Sequence, residues 1–90
     1  MKYFIDTHDR EKGSFPEGEI PKEEFAAWFE CFEEAFEKEG AVTLGTHVNL
    51  EEGKAFCLTA ALDAEAVHRA HETVGVMFVS ITEVRHVSDM

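Results

Sequence analysis

Residues 41–60 read AVTLGTHVNLEEGKAFCLTA. The first half alternates strictly: Val42, Leu44, Thr46 and Val48 fall on one side, Thr43, Gly45, His47 and Asn49 on the other. A period of two sustained over eight residues marks a strand with one buried face. Glu51-Glu52-Gly53-Lys54 then reads as a tight turn, with Gly53 able to take the positive φ such turns demand. Residues 55–60 (AFCLTA) form the returning strand. A hairpin therefore occupies the middle of the chain, and the flanking segments decide what it is part of.

Upstream, residues 21–39 (PKEEFAAWFECFEEAFEKE) form the clearest helix. Pro21 suits the first helical position, and Glu23 and Glu24 suit the positive end of the helix dipole. Phe25, Phe29, Phe32 and Phe36 share one face, Trp28 and Cys31 flank it, and Gly40 stops the helix. An aromatic stripe at this spacing reads as core laid on a sheet. Residues 2–8 (KYFIDTH) alternate as a strand. Residues 9–20 (DREKGSFPEGEI), with two Gly, a Pro and several charges, read as a loop that is long for a small domain.

Downstream of the hairpin, Asp63 is the expected N-cap of a second helix, with Glu65 in its first turn. Val67, Ala70, His71 and Val74 form its buried stripe, and Gly75 its stop. Residues 81–87 (ITEVRHV) read as the last strand. The order is β-α-β-β-α-β. Right-handed crossovers put both helices on one face of a four-stranded antiparallel sheet, which is a ferredoxin-like α+β fold in a single domain over 1–90. The other face stays bare. Its apolar members call for a second copy of the chain, so a homodimer through the open sheet face is expected.

A chain of 90 residues buries a modest share of its surface. Nineteen acidic against eight basic residues give a formal net charge of −11, a field that repels nucleic-acid phosphates and anionic membrane surfaces. No run approaches the roughly 18 apolar residues of a membrane helix. The start, MKYFIDTHDR, is charged too early for a leader. A cytoplasmic protein with reduced thiols is expected, and two isolated cysteines, Cys31 and Cys57, make neither a disulfide framework nor a redox pair.

Pairing Glu51 with Lys54 sets His47 opposite Leu58, Asn49 opposite Phe56 and Val48 opposite Cys57. Cys57 then faces the helices as core, as Cys31 does on the first helix, while His47 lies on the bare face with Phe56 and Leu58. Taking Tyr3 and Ile5 as core leaves Phe4, Asp6 and His8 on that same bare face. The last strand stays open. If Val84 is core, Glu83 and Arg85 join Asp6 and His8; if Ile81 is core, His86 does.

Five histidines in 90 residues are many. Imidazole is a common ligand of nickel, zinc and copper, and carboxylates supplement it. Asp6, His8, His47 and Glu83 are therefore the expected ligands of a divalent transition metal, bound only while the imidazoles are neutral, above about pH 6. His71 and His86 are secondary candidates for ligand binding. His68 and His71, three apart on a helix, can chelate or simply lie on its surface. The alternative is a dimeric α/β-barrel-type protein that holds a small organic molecule between sheet and helices, with His47 or His71 as acid or base. A third reading is a structural or regulatory module working through its acidic helix face. No HExxH, CxxC, GxSxG or Gly-rich phosphate loop occurs, so no nucleophile is specified and catalysis is not expected.

The run His47-Val48-Asn49-Leu50, the turn, Ala55-Phe56-Cys57-Leu58, then Ala61 to Val67, Gly75 and Ile81-Thr82-Glu83-Val84 resembles the small bacterial proteins of the DUF4242 family, which includes a nickel-binding protein. The resemblance spans roughly residues 41–87, and the first strand and helix match by position. Leu62 stands where that family usually has proline, and the loop at 9–20 is longer. The resemblance implies a ferredoxin-like dimer with nickel or a similar ion as its ligand. The matching positions are His47, Cys57 and Glu83; with Cys57 read as core, His47 and Glu83 carry over.

Overall fold

The computed structural model describes residues 1–18 and 21–90, so the last two positions of the loop expected at 9–20 lie outside the described residues. Strand β1 (Lys2–Asp9) leads through a short 3-10 turn to helix α1 (Lys22–Lys38). The hairpin β2 (Val42–Asn49) and β3 (Lys54–Ala61) follows, then helix α2 (Ala64–Val74) and strand β4 (Ser80–Val84). The strands form one sheet in the order β2-β3-β1-β4, with every neighbouring pair antiparallel. This is the expected ferredoxin-like α+β architecture.

The hairpin register differs from the expected one by two positions. His47 pairs with Phe56, Thr46 with Cys57, and Asn49 with Lys54, because the turn takes four residues, 50–53, rather than two. A slip of two preserves parity, so His47 still faces away from the helices and Cys57 toward them. The longer turn is held from outside. The Arg10 guanidinium donates to the carbonyls of Leu50 (2.9 Å) and Glu51 (3.4 Å), and its backbone N–H donates to Gly53 O at 2.8 Å. Gly53 has φ +68°, and a Cβ there would stand 2.6 Å from Arg10 Cβ.

A β-bulge between Thr43 and Gly45 flips the facing at the start of β2. Thr43 pairs with the buried Thr59, while Val42 pairs with Ala60 on the open side. Val42 and Leu44, expected under the helices, are about half exposed. On β4 the open question is resolved in favour of Ile81, which lies opposite Asp6 and packs on the core; Val84 lies opposite Tyr3. The strand ends at Val84, short of the expected 87.

The largest correction is on β1. Phe4, Asp6 and His8 are buried beneath the helices, and Tyr3 is on the outside. Phe4, Cys57 and Ala61 from the sheet meet Phe32 and Phe36 of α1 and Ala66, Val67 and Ala70 of α2. Cys31, expected in this core, is exposed, one residue and so about 100° around the helix from Phe32. The Asp63 carboxylate caps α2 by accepting from Ala66 N at 2.9 Å, and Gly75 ends the helix at φ +69°. No helix among the described residues is long and apolar enough to cross a membrane.

Candidate metal centre

His71 belongs to the buried stripe of α2 and is fully enclosed. Its ring meets Phe32, Phe36 and Phe78 edge-on at centroid distances of 5.0 to 5.4 Å and stacks on His8 at 5.4 Å. Below it lies the β1 face that the alternation turns inward. Asp6 Oδ2 is 2.8 Å from His71 Nε2, and Asp6 Oδ1 is 3.7 Å from His8 Nε2. Across the β1–β3 ladder, Cys57 sits directly opposite Asp6. One donor atom each from Asp6, His8 and Cys57 lies within 4.8 Å of the others.

Both imidazoles are oriented by the main chain. His71 Nδ1 donates to Val67 O, one helical turn back, at 2.7 Å. His8 Nδ1 donates to Met77 O at 2.7 Å and to Ser14 O at 3.2 Å. With Nδ1 protonated on each ring, both Nε2 atoms are directed at the carboxylate. Metal-binding histidines are commonly prepared this way, one nitrogen anchored to a carbonyl and the other left for the ion. With its proton on Nδ1, His71 Nε2 has none to donate to Asp6 Oδ2, 2.8 Å away. Asp6 Oδ1, Asp6 Oδ2 and His71 Nε2 are all buried without a hydrogen-bond partner. Such atoms are uncommon in a folded interior and mark a place where another group fits.

The cluster alters the acidity of its members. Burial alone pushes the Asp6 carboxyl up, but the contacts and charges of His71 and then His8 outweigh it and hold the group at about 2. Burial alone lowers His8; the Asp6 carboxylate, helped by the Met77 and Ser14 carbonyls, raises it overall. Burial and then the Asp6 charge push the Cys57 thiol up to about 12, against a small opposing effect from the Thr46 hydroxyl. In the absence of a cation the thiol is therefore protonated and inert.

Beside the cluster a cleft of about 260 Å³ opens between the sheet and the first turns of α1. His8 and Cys57 form part of its floor, and Phe25, Trp28 and Phe29 part of its wall.

Of the residues expected to bind metal, Asp6 and His8 come together, but under the helices. His47 is exposed on the opposite face of the sheet. Glu83 lies opposite Phe4, exposed beyond the helices, with Lys2 Nζ at 3.9 Å. Neither joins the cluster. His86 is exposed past the end of β4, bonded to Ser88 at 2.7 Å. His68 points outward against Phe78, away from His71. Two residues take their places: His71, already placed on the buried stripe, and Cys57, already placed in the core. A buried imidazole on α2 needs a polar partner beneath it, and the Asp6–His8 alternation was the available one.

A ferredoxin-like domain enclosing a carboxylate, two imidazoles and a thiol under its helices is the class that fold and site define together. The family model described as nickel-responsive protein SCO4226-like matches residues 4–84, and the chain belongs to that family. The crystal structure of SCO4226 from Streptomyces coelicolor A3(2) is similar, with a TM-score of 0.75 and 24% identity over 93% of this chain and 96% of that one. No curated protein matches.

Proposed function

We propose that this protein binds a divalent transition metal, nickel first among them, at Asp6, His8 and Cys57, with His71 as a fourth donor or as the group that positions Asp6. The observation that carries the reading is the convergence of three buried donors of suitable chemistry beside partnerless carboxylate oxygens. Imidazole, thiolate and carboxylate together suit nickel, zinc and copper better than magnesium or calcium, which prefer all-oxygen sites. The family's description as nickel-responsive and the resemblance to DUF4242 proteins favour nickel. Binding needs neutral imidazoles and releases the Cys57 proton, so affinity falls as pH drops through the raised His8 value.

Calorimetry on untagged protein with nickel, zinc and copper tests the reading. Nickel heat is lost in His8→Ala and Cys57→Ser and kept in His47→Ala, with circular dichroism confirming that each variant is folded. Equal, weak heats in all four proteins would sink the idea, as would loss confined to His47→Ala.

The open sheet face supports a further part of the proposal, a homodimer. Tyr3, Val42, Leu44, Phe56 and Leu58 are 37 to 51% exposed, and the middle of this face carries no carboxylate although the chain is strongly acidic. Copies that repel elsewhere can approach here. Sedimentation gives twice the chain mass for wild type and the single-chain mass for Phe56→Asp; a wild type that sediments as a monomer refutes it.

A further inference from the structure

The cleft has an unusual lining for a protein this acidic. Phe15 and Phe25 are near-parallel at 6.3 Å, Phe25 and Trp28 are 5.5 Å apart, and Trp28 stacks on Phe32 at 5.8 Å and 30°. These rings continue the α1 stripe beyond the part that packs on the sheet. Phe32 and Phe36 are core, whereas Phe25 and Phe29 are half-buried and Trp28 is 36% exposed, all three at the cleft. The stripe thus does two jobs along its length, core at one end and cleft wall at the other.

Among the described residues, the ionisable side chains lining the cleft are His8 and Cys57. The His8 Nδ1–H is already committed to two carbonyls. No arginine, lysine or carboxylate is among the described residues that line it. The field of a −11 chain disfavours an organic anion. At about 260 Å³ the cleft lies just under the roughly 300–1,000 Å³ of drug-sized sites. Flat rings gain from stacked or edge-on neighbours, and the polar floor of His8, Thr46 and Cys57 offers hydrogen bonds to one end of a guest.

We infer that the cleft is a binding site for a neutral, planar aromatic molecule of one or two rings bearing a single polar group, held between the α1 aromatics and the His8–Thr46–Cys57 floor. This is independent of the metal reading and is tested with chelator present.

Trp28 is the single tryptophan of the chain and borders the cleft, so its fluorescence reports occupancy selectively. The probe is 2-naphthol, uncharged at pH 7, with calorimetry as the second readout and 2-naphthoate as the anionic counterpart. Expected results are saturable one-to-one binding of 2-naphthol, with naphthoate at least tenfold weaker. Phe25→Ala weakens binding about threefold to tenfold, the range for loss of one aromatic contact. Val48→Phe, which fills the cleft from an exposed strand position, abolishes binding. Glu34→Gln, on the exposed side of α1, leaves it unchanged. Naphthoate binding as well as naphthol, Val48→Phe binding like wild type, or loss of binding in Glu34→Gln would each overturn the inference.

Discussion

Replacing Asp6 by Asn tests whether the buried cluster acts as an ionic unit, and the pH dependence of the effect is the informative part. The carboxyl is held at about 2 in the fold against an ordinary value of 3.8. At roughly 1.4 kcal/mol per pH unit, that difference amounts to about 2 kcal/mol of stability. A depressed carboxyl contributes fully above about 3.8, and its contribution disappears as pH falls through about 2. His8 is raised above 6.5, so its contribution is complete below 6.5 and disappears as pH rises through the higher folded value. The two shifts describe one set of contacts from both ends and are not added. The stability difference between wild type and Asp6→Asn should therefore peak between about pH 4 and 6.5, near 2 kcal/mol, and shrink on both sides. Urea unfolding from pH 2.5 to 9 in chelator measures it. With a slope of about 1 kcal/mol/M for a domain this small, the midpoint shift at the peak is about 2 M. The same comparison cancels the self-repulsion that any chain of this net charge feels at higher pH. A difference that stays constant across the range, or is largest above pH 8, would refute the ionic account and leave Asp6 as a polar spacer.

Three further outcomes follow from the packing. A thiol reagent at pH 8 should label Cys31 quickly and Cys57 only on unfolding, because the Cys57 thiol is 3% exposed and pushed up to about 12; two fast thiols would contradict this. Gly53→Ala should cost more than about 1 kcal/mol, since it strains a positive φ and drives a methyl into Arg10, and thermal melts that match wild type would argue against the clasp. Phe36→Ala, at a fully buried site shared with Phe32 and His71, should cost about 3–5 kcal/mol, a large share of what holds a small domain together, and denaturant titration measures it.

The architecture was legible because each element carries its own local signals: the α1 stripe, the Asp63 cap, the Gly40 and Gly75 stops, the β2 alternation. The faces of the hairpin survived an error in register because a slip of two leaves parity intact. The site was only half legible. Asp6 and His8 were chosen together, but β1 was turned the wrong way. Its inward face carries one hydrocarbon, Phe4, and two groups that resemble surface residues, whereas its outward face carries Tyr3 and Ile5. Hydrophobicity alone favours the reverse orientation. Asp6, His8 and His71 go inward as a set because each compensates the others' burial, a pairwise effect across 65 residues that no local pattern encodes. That inversion also separated His47 from Asp6 and His8, and brought in Cys57.

The bulge at the start of β2 has a bearing on how the molecule avoids fibrous growth. The sheet has two rims, β2 and β4, each with backbone groups free to accept a stray strand from another chain. On one rim the irregularity between Thr43 and Gly45 breaks the even ladder such a strand would need; on the other only five residues are extended. Endless addition along the sheet is thereby discouraged at both margins, which leaves the apolar face as the surface on which the proposed pairing of copies rests.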